Sequence, residues 1–149
     1  MPSEAPASYP DHLTGRCYCG ASSLSAEAAP LTVALCHCTD CRRWTGAPVA
    51  GFAALAGDAL RIAPDPGPGL SVTEGVRRWS CPRCGSPLMA VFDYLPGQVY
   101  VPLGLLDQAA ALAPALHSHA DAALPWLHVG DGAPRAAGSA RDALSGSGA

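Results

Sequence analysis

The chain has 149 residues and a formal net charge of −3, and its nine basic residues are all arginine. This length favours one domain with a substantial hydrophobic core. The sequence has no basic stripe of the kind that nucleic-acid binders need, and no apolar run near the roughly 20 residues that span a bilayer. Nucleic acid and membrane are therefore excluded as main partners.

The two ends of the chain predict little packed structure. Residues 1–14 are rich in Pro, Ser and Ala and lack the basic start and apolar run of a signal peptide, so they predict a flexible tail. Residues 131–149 hold mainly Gly, Ala and Ser, which bury too little apolar surface to offset the entropy of ordering, and they predict a disordered tail. The remaining residues, 15–130, are expected to form a single domain.

Pro and Gly divide the middle of the chain into short apolar segments, a pattern typical of a mainly β protein. Six strands are predicted, at 31–35, 49–55, 60–62, 76–80, 88–92 and 99–103. The segment TEGV at 73–76 predicts a hairpin turn, and PDPGPG at 64–69 predicts an exposed loop. The segment LDQAAALAP at 106–114 predicts a short helix with Asp107 as N-cap and Pro114 at its end.

Seven cysteines are the most informative feature of the composition. Without a secretion signal they indicate a reducing compartment, which we take to be the cytoplasm, and an odd number cannot pair completely in disulfides. Metal binding is the better interpretation. The cysteines form three groups, which read CYC at 17–19, CHCTDC at 36–41 and CPRC at 81–84.

The segment SCPRCGS is typical of a zinc knuckle. Cys81 and Cys84 have C-x-x-C spacing, and Gly85 can adopt the positive φ that turns backbone amides toward sulfur. The other pair, Cys17 and Cys19, completes a four-cysteine site. The sequence thus predicts a structural zinc that joins distant parts of the chain and adds its binding free energy to folding. The alternative is free buried cysteines or a redox C-x-x-C motif, although no βαβ pattern surrounds it.

The group at 36–41 supplies three further ligands, Cys36, Cys38 and Cys41. Neighbouring side chains on one face of a straight strand lie about 6.5 Å apart, too far for sulfurs on one tetrahedral zinc. The chain must therefore bend sharply between Cys36 and Cys38. Thr39 and Asp40 favour a helical turn there, which would aim backbone N–H groups at the thiolates.

Three thiolates leave one position open on tetrahedral zinc, and an open position separates a catalytic site from a structural one. A soft centre of this kind suits a small thiol that binds as its thiolate. One alternative is a closed Cys₃His site, whose fourth ligand would be a histidine from the set His37, His117, His119 and His128. An iron–sulfur cluster is a second alternative, although it usually takes four cysteines.

Several residues near this group are candidates for contact with substrate. Arg42 and Arg43 could offset the anionic centre or pair with a substrate carboxylate, or they could simply form a solvated face. Asp40 could hydrogen-bond a substrate proton or only cap a turn. His117 and His119 alternate on one strand face and could line the pocket as acid or base.

The motifs GRCYCG, CHCTDCRRWTGAP and SCPRCGSPL, with VYVPLGLLD more loosely, resemble the glutathione-dependent formaldehyde-activating enzymes and their centromere protein V relatives. The resemblance implies a β-tent zinc-binding fold of antiparallel sheets with short helical turns. It also implies two zinc ions per chain and carbon–sulfur lyase activity, named for the condensation of formaldehyde with glutathione. The implied ligands are Cys17, Cys19, Cys81 and Cys84 for the structural zinc, and Cys36, Cys38 and Cys41 for the second, open zinc.

Two hypotheses for the function follow. In the first, the protein is a zinc-dependent carbon–sulfur lyase that binds a small, glutathione-like thiol at the open Cys₃ zinc. It adds that thiol to an aldehyde such as formaldehyde, or releases it. In the second, both metal sites are structural and the protein is a non-catalytic binding or scaffold module. Replacing Cys36 separates them, because only the second hypothesis expects the fold to depend on this residue.

Overall fold

A computed structural model describes residues 8–146 of the protein, and they form a mainly β structure. The strands are β1 Leu13–Arg16, β2 Ser23–Ala26, β3 Thr32–Cys36, β4 Ala50–Ala56, β5 Leu60–Ala63, β6 Val76–Ser80, β7 Pro87–Phe92, β8 Gln98–Pro102 and β9 Leu116–Ser118. The α-helices are α1 Thr39–Thr45 and α2 Arg141–Gly146, and short 3₁₀ turns lie at Leu103–Leu105, Ala109–Ala111 and Ala120–Ala122. The predicted mainly β class and all six predicted strands are confirmed.

The strands form two sheets. The small sheet has the order β1-β2-β5, and the large sheet has the order β6-β7-β8-β4-β3-β9. All pairs are antiparallel, as expected, except β3 with β9, which run parallel, with Leu35 opposite His117 and Cys36 opposite Ser118. This one departure from the antiparallel expectation lies at the edge of the large sheet. After β8 a long connection carries the chain past β4 and β3 to the outer edge of the sheet, where β9 pairs with β3.

The central strands of the large sheet are buried on both faces. On β4, Ala53 and Leu55 belong to one core and Phe52 and Ala54 to a second, because successive side chains of a strand point to opposite faces. This double burial explains the continuous apolar run of β4, in which alternation with polar residues is absent. The sheet thus divides the molecule into two cores.

Each core contains one of the cysteine clusters. The first core includes side chains of both sheets, and its buried members are Leu13, Cys17, Leu24, Ala26, Val33, Ala53, Leu55, Cys81, Leu88, Val99, Val101, Leu106 and Leu112. The second core lies on the opposite face of the large sheet, and its buried members are Ala34, Cys36, Cys41, Ala50, Phe52, Ala54, Leu95, Tyr100, Ala140 and Leu144. The fold itself therefore separates the four-cysteine group from the three-cysteine group.

The chain ends differ from the expectation of unpacked tails. Strand β1 begins at Leu13, which is 1% exposed in the first core, whereas residues 1–7 lie outside the described part. Between residues 131 and 146 the chain packs against β9, and the backbone N–H of His117 donates to Pro134 O at 2.8 Å. Ala140 and Leu144 are buried. Small residues let backbones approach and hydrogen-bond, so this segment orders without the large apolar residues whose absence suggested a tail.

The predicted helix at 106–114 is also absent. The segment forms only a 3₁₀ turn, and Asp107 does not cap a helix. Its carboxylate instead accepts a hydrogen bond from the Thr14 hydroxyl at 2.7 Å, and its backbone N–H donates to Thr14 O at 2.8 Å. Contacts with β1 therefore override the local propensity. Within residues 8–146, no helix is long and apolar enough to cross a membrane.

Candidate functional site

The first cysteine cluster brings together two pairs that are far apart in the chain. The Sγ atoms of Cys17 and Cys19 lie 3.6 Å apart, and those of Cys19 and Cys81, which are 62 positions apart in sequence, lie 3.9 Å apart. With Cys84, the four sulfurs lie within 4.8 Å of one another. Tetrahedral zinc with Zn–S bonds near 2.3 Å requires sulfurs about 3.8 Å apart. The cluster therefore has the donor type, number and spacing of a closed zinc site.

The two pairs are carried by similar backbone loops. The N–H of Cys17 donates to Ser22 O at 3.0 Å, and the N–H of Cys81 donates to Ser86 O at 2.9 Å. Gly85, within the second loop, has a φ of 80°, which a residue with a side chain rarely adopts. Each loop thus folds back on itself and turns its two sulfurs to the same point.

Hydrogen bonds from these loops stabilise negative charge on sulfur. The N–H of Ser22 donates to Cys17 Sγ at 3.3 Å, and the N–H of Arg83 donates to Cys81 Sγ at 3.4 Å. The hydroxyl of Ser86, 3.2 Å from Cys84 Sγ, lowers the pKa of that thiol to about 5. Metal binding requires thiolates, so the loops favour the ligand form at Cys84. At Cys19 the Ala21 N–H lowers the pKa, but burial and the neighbouring thiols raise it to about 11.

The second cluster forms where β3 ends and α1 begins. Cys36 is the last residue of β3, Cys38 is the N-cap of α1, and Cys41 lies in its first turn. The Sγ atoms of Cys36 and Cys38 are 3.2 Å apart, and the N–H of Cys41 donates to Cys38 Sγ at 3.4 Å. The predicted sharp bend and helical turn are therefore confirmed, although the cap is Cys38 itself.

The three sulfurs lie within 4.8 Å of one another, and in residues 8–146 no His, Asp or Glu joins this group. Their pKa values are tightly linked. A hydrogen bond from Cys36, and a weaker one from Cys41, lower the pKa of Cys38 to about 2. Interactions among the three thiols raise the pKa values of Cys36 and Cys41. The cluster therefore favours one thiolate by itself, and a divalent cation would stabilise the other two. Three soft donors at this spacing fit one face of a zinc tetrahedron.

His37 and His117 form a hydrogen-bonded chain directed away from the three-cysteine cluster. His37 points away from its cysteine neighbours, and its Nε2 lies 2.8 Å from Nδ1 of His117. The other nitrogen of His117, Nε2, lies 2.8 Å from the carboxylate of Asp131. His37 and His117 are 4% and 1% exposed, respectively. This hydrogen-bonded chain occupies both nitrogens of His117, so His117 does not serve as a fourth ligand.

His117 and His119 do not share a strand face as the sequence suggested. His119 has a φ of 53° and a ψ of 43°, so the chain turns immediately after β9. Its side chain consequently lines the cavity beside the three-cysteine cluster, while His117 is buried behind it. His128 is exposed on the surface.

A cavity of about 500 Å³ opens onto the three-cysteine cluster. Its size lies within the range of small-molecule sites, about 300–1,000 Å³. The lining residues are mostly apolar or aromatic and include Ala34, Phe52, Val76, Phe92, Tyr94, Leu95, Tyr100, Ala140 and Leu144. Burial raises the pKa of Tyr94, the nearby cysteine thiols raise it further, and Arg78 lowers it. The pKa of Tyr94 is therefore influenced both by the three-cysteine cluster and by Arg78.

The predicted substrate contacts are only partly brought together. Asp40 lines the cavity and is exposed at its rim. Arg42 and Arg43 instead line a separate surface hollow with Leu124, on the other side of α1. The cationic residues that do line the cavity, Arg78 and Arg141, carried no local sequence signal.

Comparisons with known proteins agree with this geometry. The sequence model described as glutathione-dependent formaldehyde-activating enzyme matches residues 12–122. Among solved structures, a crystal structure of a Rhodobacter sphaeroides protein, a structural genomics target, is similar in fold, with 20% sequence identity and a TM-score of 0.51. That similarity covers 83% of this chain and 99% of the other. No curated protein matches the sequence significantly. Because the family match spans most of the chain, the protein belongs to the glutathione-dependent formaldehyde-activating enzyme family.

Proposed function

We propose that the protein is a zinc-dependent carbon–sulfur lyase that binds a small, glutathione-like thiol at the three-cysteine centre. It adds the thiol to an aldehyde such as formaldehyde, or catalyses the reverse release. One observation carries this proposal: Cys36, Cys38 and Cys41 converge at the wall of a cavity, and the described residues supply no fourth ligand. The family description, which names glutathione and formaldehyde, supports the choice of substrates.

Zinc at this centre would supply a soft open position that accepts a thiol as its thiolate near neutral pH. The chain supplies the surroundings. Phe52, Phe92 and Tyr100 form apolar walls that limit water around the sulfur. A thiolate with little hydration remains a stronger nucleophile toward a carbonyl carbon than one in bulk water.

The addition needs a proton donor for the aldehyde oxygen. The substrate sulfur forms a bond to the carbonyl carbon, the C=O π electrons move to oxygen, and that oxygen takes a proton to become a hydroxyl. The thiol lost one proton on binding, so the reaction is balanced overall. We assign the proton transfer to His119, because its ring lines the cavity and an imidazole is the side chain best suited to move protons near neutral pH.

The decisive experiment is a thiol titration of the full chain loaded with cobalt, which reports ligand exchange by its visible absorption. We expect glutathione, or another member of a small-thiol panel, to change the spectrum in a saturable manner in wild-type protein. The Cys36→Ser variant, the matched control, should give no such change. An unaltered wild-type spectrum with every thiol at millimolar concentration would remove the basis of the proposal.

A non-catalytic module is the second candidate function. It is favoured by the position of Cys36 and Cys41, which are 8% and 6% exposed within the second core. In that role both metal sites would only stabilise the fold, and Cys36→Ser would unfold the protein. Either function is expected in a reducing compartment such as the cytoplasm, where seven thiols persist.

A further inference from the structure

Two arginines line the same cavity as the three-cysteine cluster. Arg78 lies on β6 and is half-buried, whereas Arg141 begins α2 and is exposed. Within residues 8–146, neither forms an ion pair with an acidic side chain whose position is described. Asp40 and Glu74 also line the cavity but do not pair with either arginine. Both guanidinium groups therefore remain available to an anionic ligand.

The guanidinium group of Arg78 is held in a fixed position. Its central carbon lies 5.2 Å from the centroid of the Trp44 ring, so the ring covers one face of the group. The backbone of Arg78 is fixed as well, because its N–H and C=O pair with Leu70 at 2.9 and 2.8 Å. The edge of a guanidinium group stacked in this way is free to donate hydrogen bonds to a planar acceptor.

Arg78 also carries a buried donor without an acceptor. Its Nε atom is inaccessible to solvent and has no hydrogen-bond partner in the described part of the chain. An atom that water cannot reach is closed to a ligand in the cavity as well, so Nε is not the binding donor. Arg78 nevertheless lines the cavity, and a carboxylate is the acceptor that matches the remaining forked N–H donors of its guanidinium group.

Arg141 reaches the cavity from the C-terminal segment. Its guanidinium carbon lies 6.0 Å from the centroid of the Tyr94 ring, on the cavity wall. Ala140 and Leu144, which are buried, complete that wall. The family match ends at residue 122, so this part of the cavity belongs to the portion of the chain that the family pattern does not cover.

We propose that Arg78 and Arg141 form a carboxylate-binding subsite, so that the preferred thiol is a thiol acid. Its sulfur would occupy the three-cysteine centre, its apolar body would contact the aromatic walls, and its carboxylate would pair with the two guanidinium groups. This inference rests on the proposed function, because it requires a thiol to bind at that centre. The subsite replaces the role that the sequence suggested for Arg42 and Arg43.

The test compares two thiols of equal length on the cobalt-loaded full chain, 3-mercaptopropionate and 3-mercapto-1-propanol. Dissociation constants are read from the visible spectrum. Because a hydrogen-bonded charge pair contributes roughly tenfold or more to affinity, we expect the acid to bind at least about tenfold more tightly than the alcohol. The Arg78→Gln and Arg141→Gln variants should each lose most of this preference while binding the alcohol as wild type does.

Arg77→Gln is the matched control. Arg77 neighbours Arg78 on the same strand, is exposed, and donates to Pro68 O rather than lining the cavity. This variant removes the same charge and should keep the wild-type preference. If Arg78→Gln loses its stacking on Trp44 and melts early, Arg141→Gln still tests the subsite, because Arg141 is exposed.

The outcomes distinguish this inference from the function on which it rests. Equal binding of acid and alcohol, or an equal loss of preference in Arg77→Gln, would overturn the carboxylate subsite and leave thiol binding intact. A spectrum that glutathione changes but neither of these two thiols changes would overturn the subsite alone, and a spectrum that none of the three changes would overturn both. Preference for the acid that disappears only with Arg78 or Arg141 would establish the subsite.

Discussion

The two cysteine clusters use the same ligand chemistry on opposite faces of one sheet, yet their surroundings differ. The four-cysteine cluster links two loops that are distant in sequence, and backbone amides surround its sulfurs. The three-cysteine cluster comes from one short segment, Cys36 to Cys41, at a strand-to-helix junction. The four-cysteine cluster brings distant parts of the chain together, whereas the three-cysteine cluster opens onto a cavity of about 500 Å³. Ligand type alone therefore does not decide the role of a candidate metal site. That role depends on which parts of the chain the site connects and on whether it opens onto a cavity.

The largest effect should follow from breaking the closed cluster. Cys81→Ser removes a ligand that is 2% exposed, and metal binding in small zinc domains is worth about 10–16 kcal/mol, as much as the total stability of a typical domain. We expect loss of cooperative melting by circular dichroism and a fall from two zinc ions per chain to one or none. Arg83→Ala is the control, because only the backbone N–H of Arg83 contacts sulfur. A Cys81→Ser protein that melts like wild type would contradict a structural role for the cluster.

The equivalent change in the open cluster should leave the fold in place. Cys36→Ser is expected to reduce zinc from two ions per chain to one, abolish thiol binding and reduce stability by only about 1–2 kcal/mol. Elemental analysis measures the zinc content, the cobalt titration measures thiol binding, and urea unfolding measures stability. Mild chelation of wild-type protein should likewise remove one zinc first while the β signal persists. Unfolding of Cys36→Ser would instead favour the non-catalytic module.

A more limited effect, on stability without loss of zinc, is expected from the histidine pair behind the open cluster. His117→Phe leaves Nε2 of His37 and the carboxylate of Asp131 without the partners they have at 2.8 Å. Loss of a buried hydrogen-bond partner costs about 1–3 kcal/mol, which urea unfolding should detect. His128→Phe is the control, and at an exposed position it should change stability by less than about 0.5 kcal/mol. Equal stability of the two variants would show that the pair contributes nothing to the fold.

The smallest effect is expected at the two arginines that follow the cluster in sequence. The double variant Arg42→Gln/Arg43→Gln should alter thiol affinity by less than about twofold, because both residues line a separate hollow and salt screens exposed charges at a distance. The cobalt titration measures this directly. A loss as large as that expected for Arg141→Gln would restore the substrate role suggested by the sequence.

The sequence by itself determined the cysteine clusters and most of the strands, because both signals are local. Candidate metal ligands such as Cys81 and Cys84 are recognised by spacing along the chain, and strands such as β4 by a short apolar run between breakers. The bend at Cys36 to Cys38 also followed from sequence, because the geometry of tetrahedral zinc permits no straight strand there.

Only the tertiary structure decided what surrounds the open cluster. The left-handed backbone of His119, directly after β9, separates its side chain from that of His117, and the packing of residues 131–146 brings Arg141 and Leu144 to the cavity. The sequence pattern did not predict these contacts, because they depend on backbone hydrogen bonds between small residues that are far apart in sequence. Composition reports what a segment can bury, whereas the position of a segment depends on every other part of the fold.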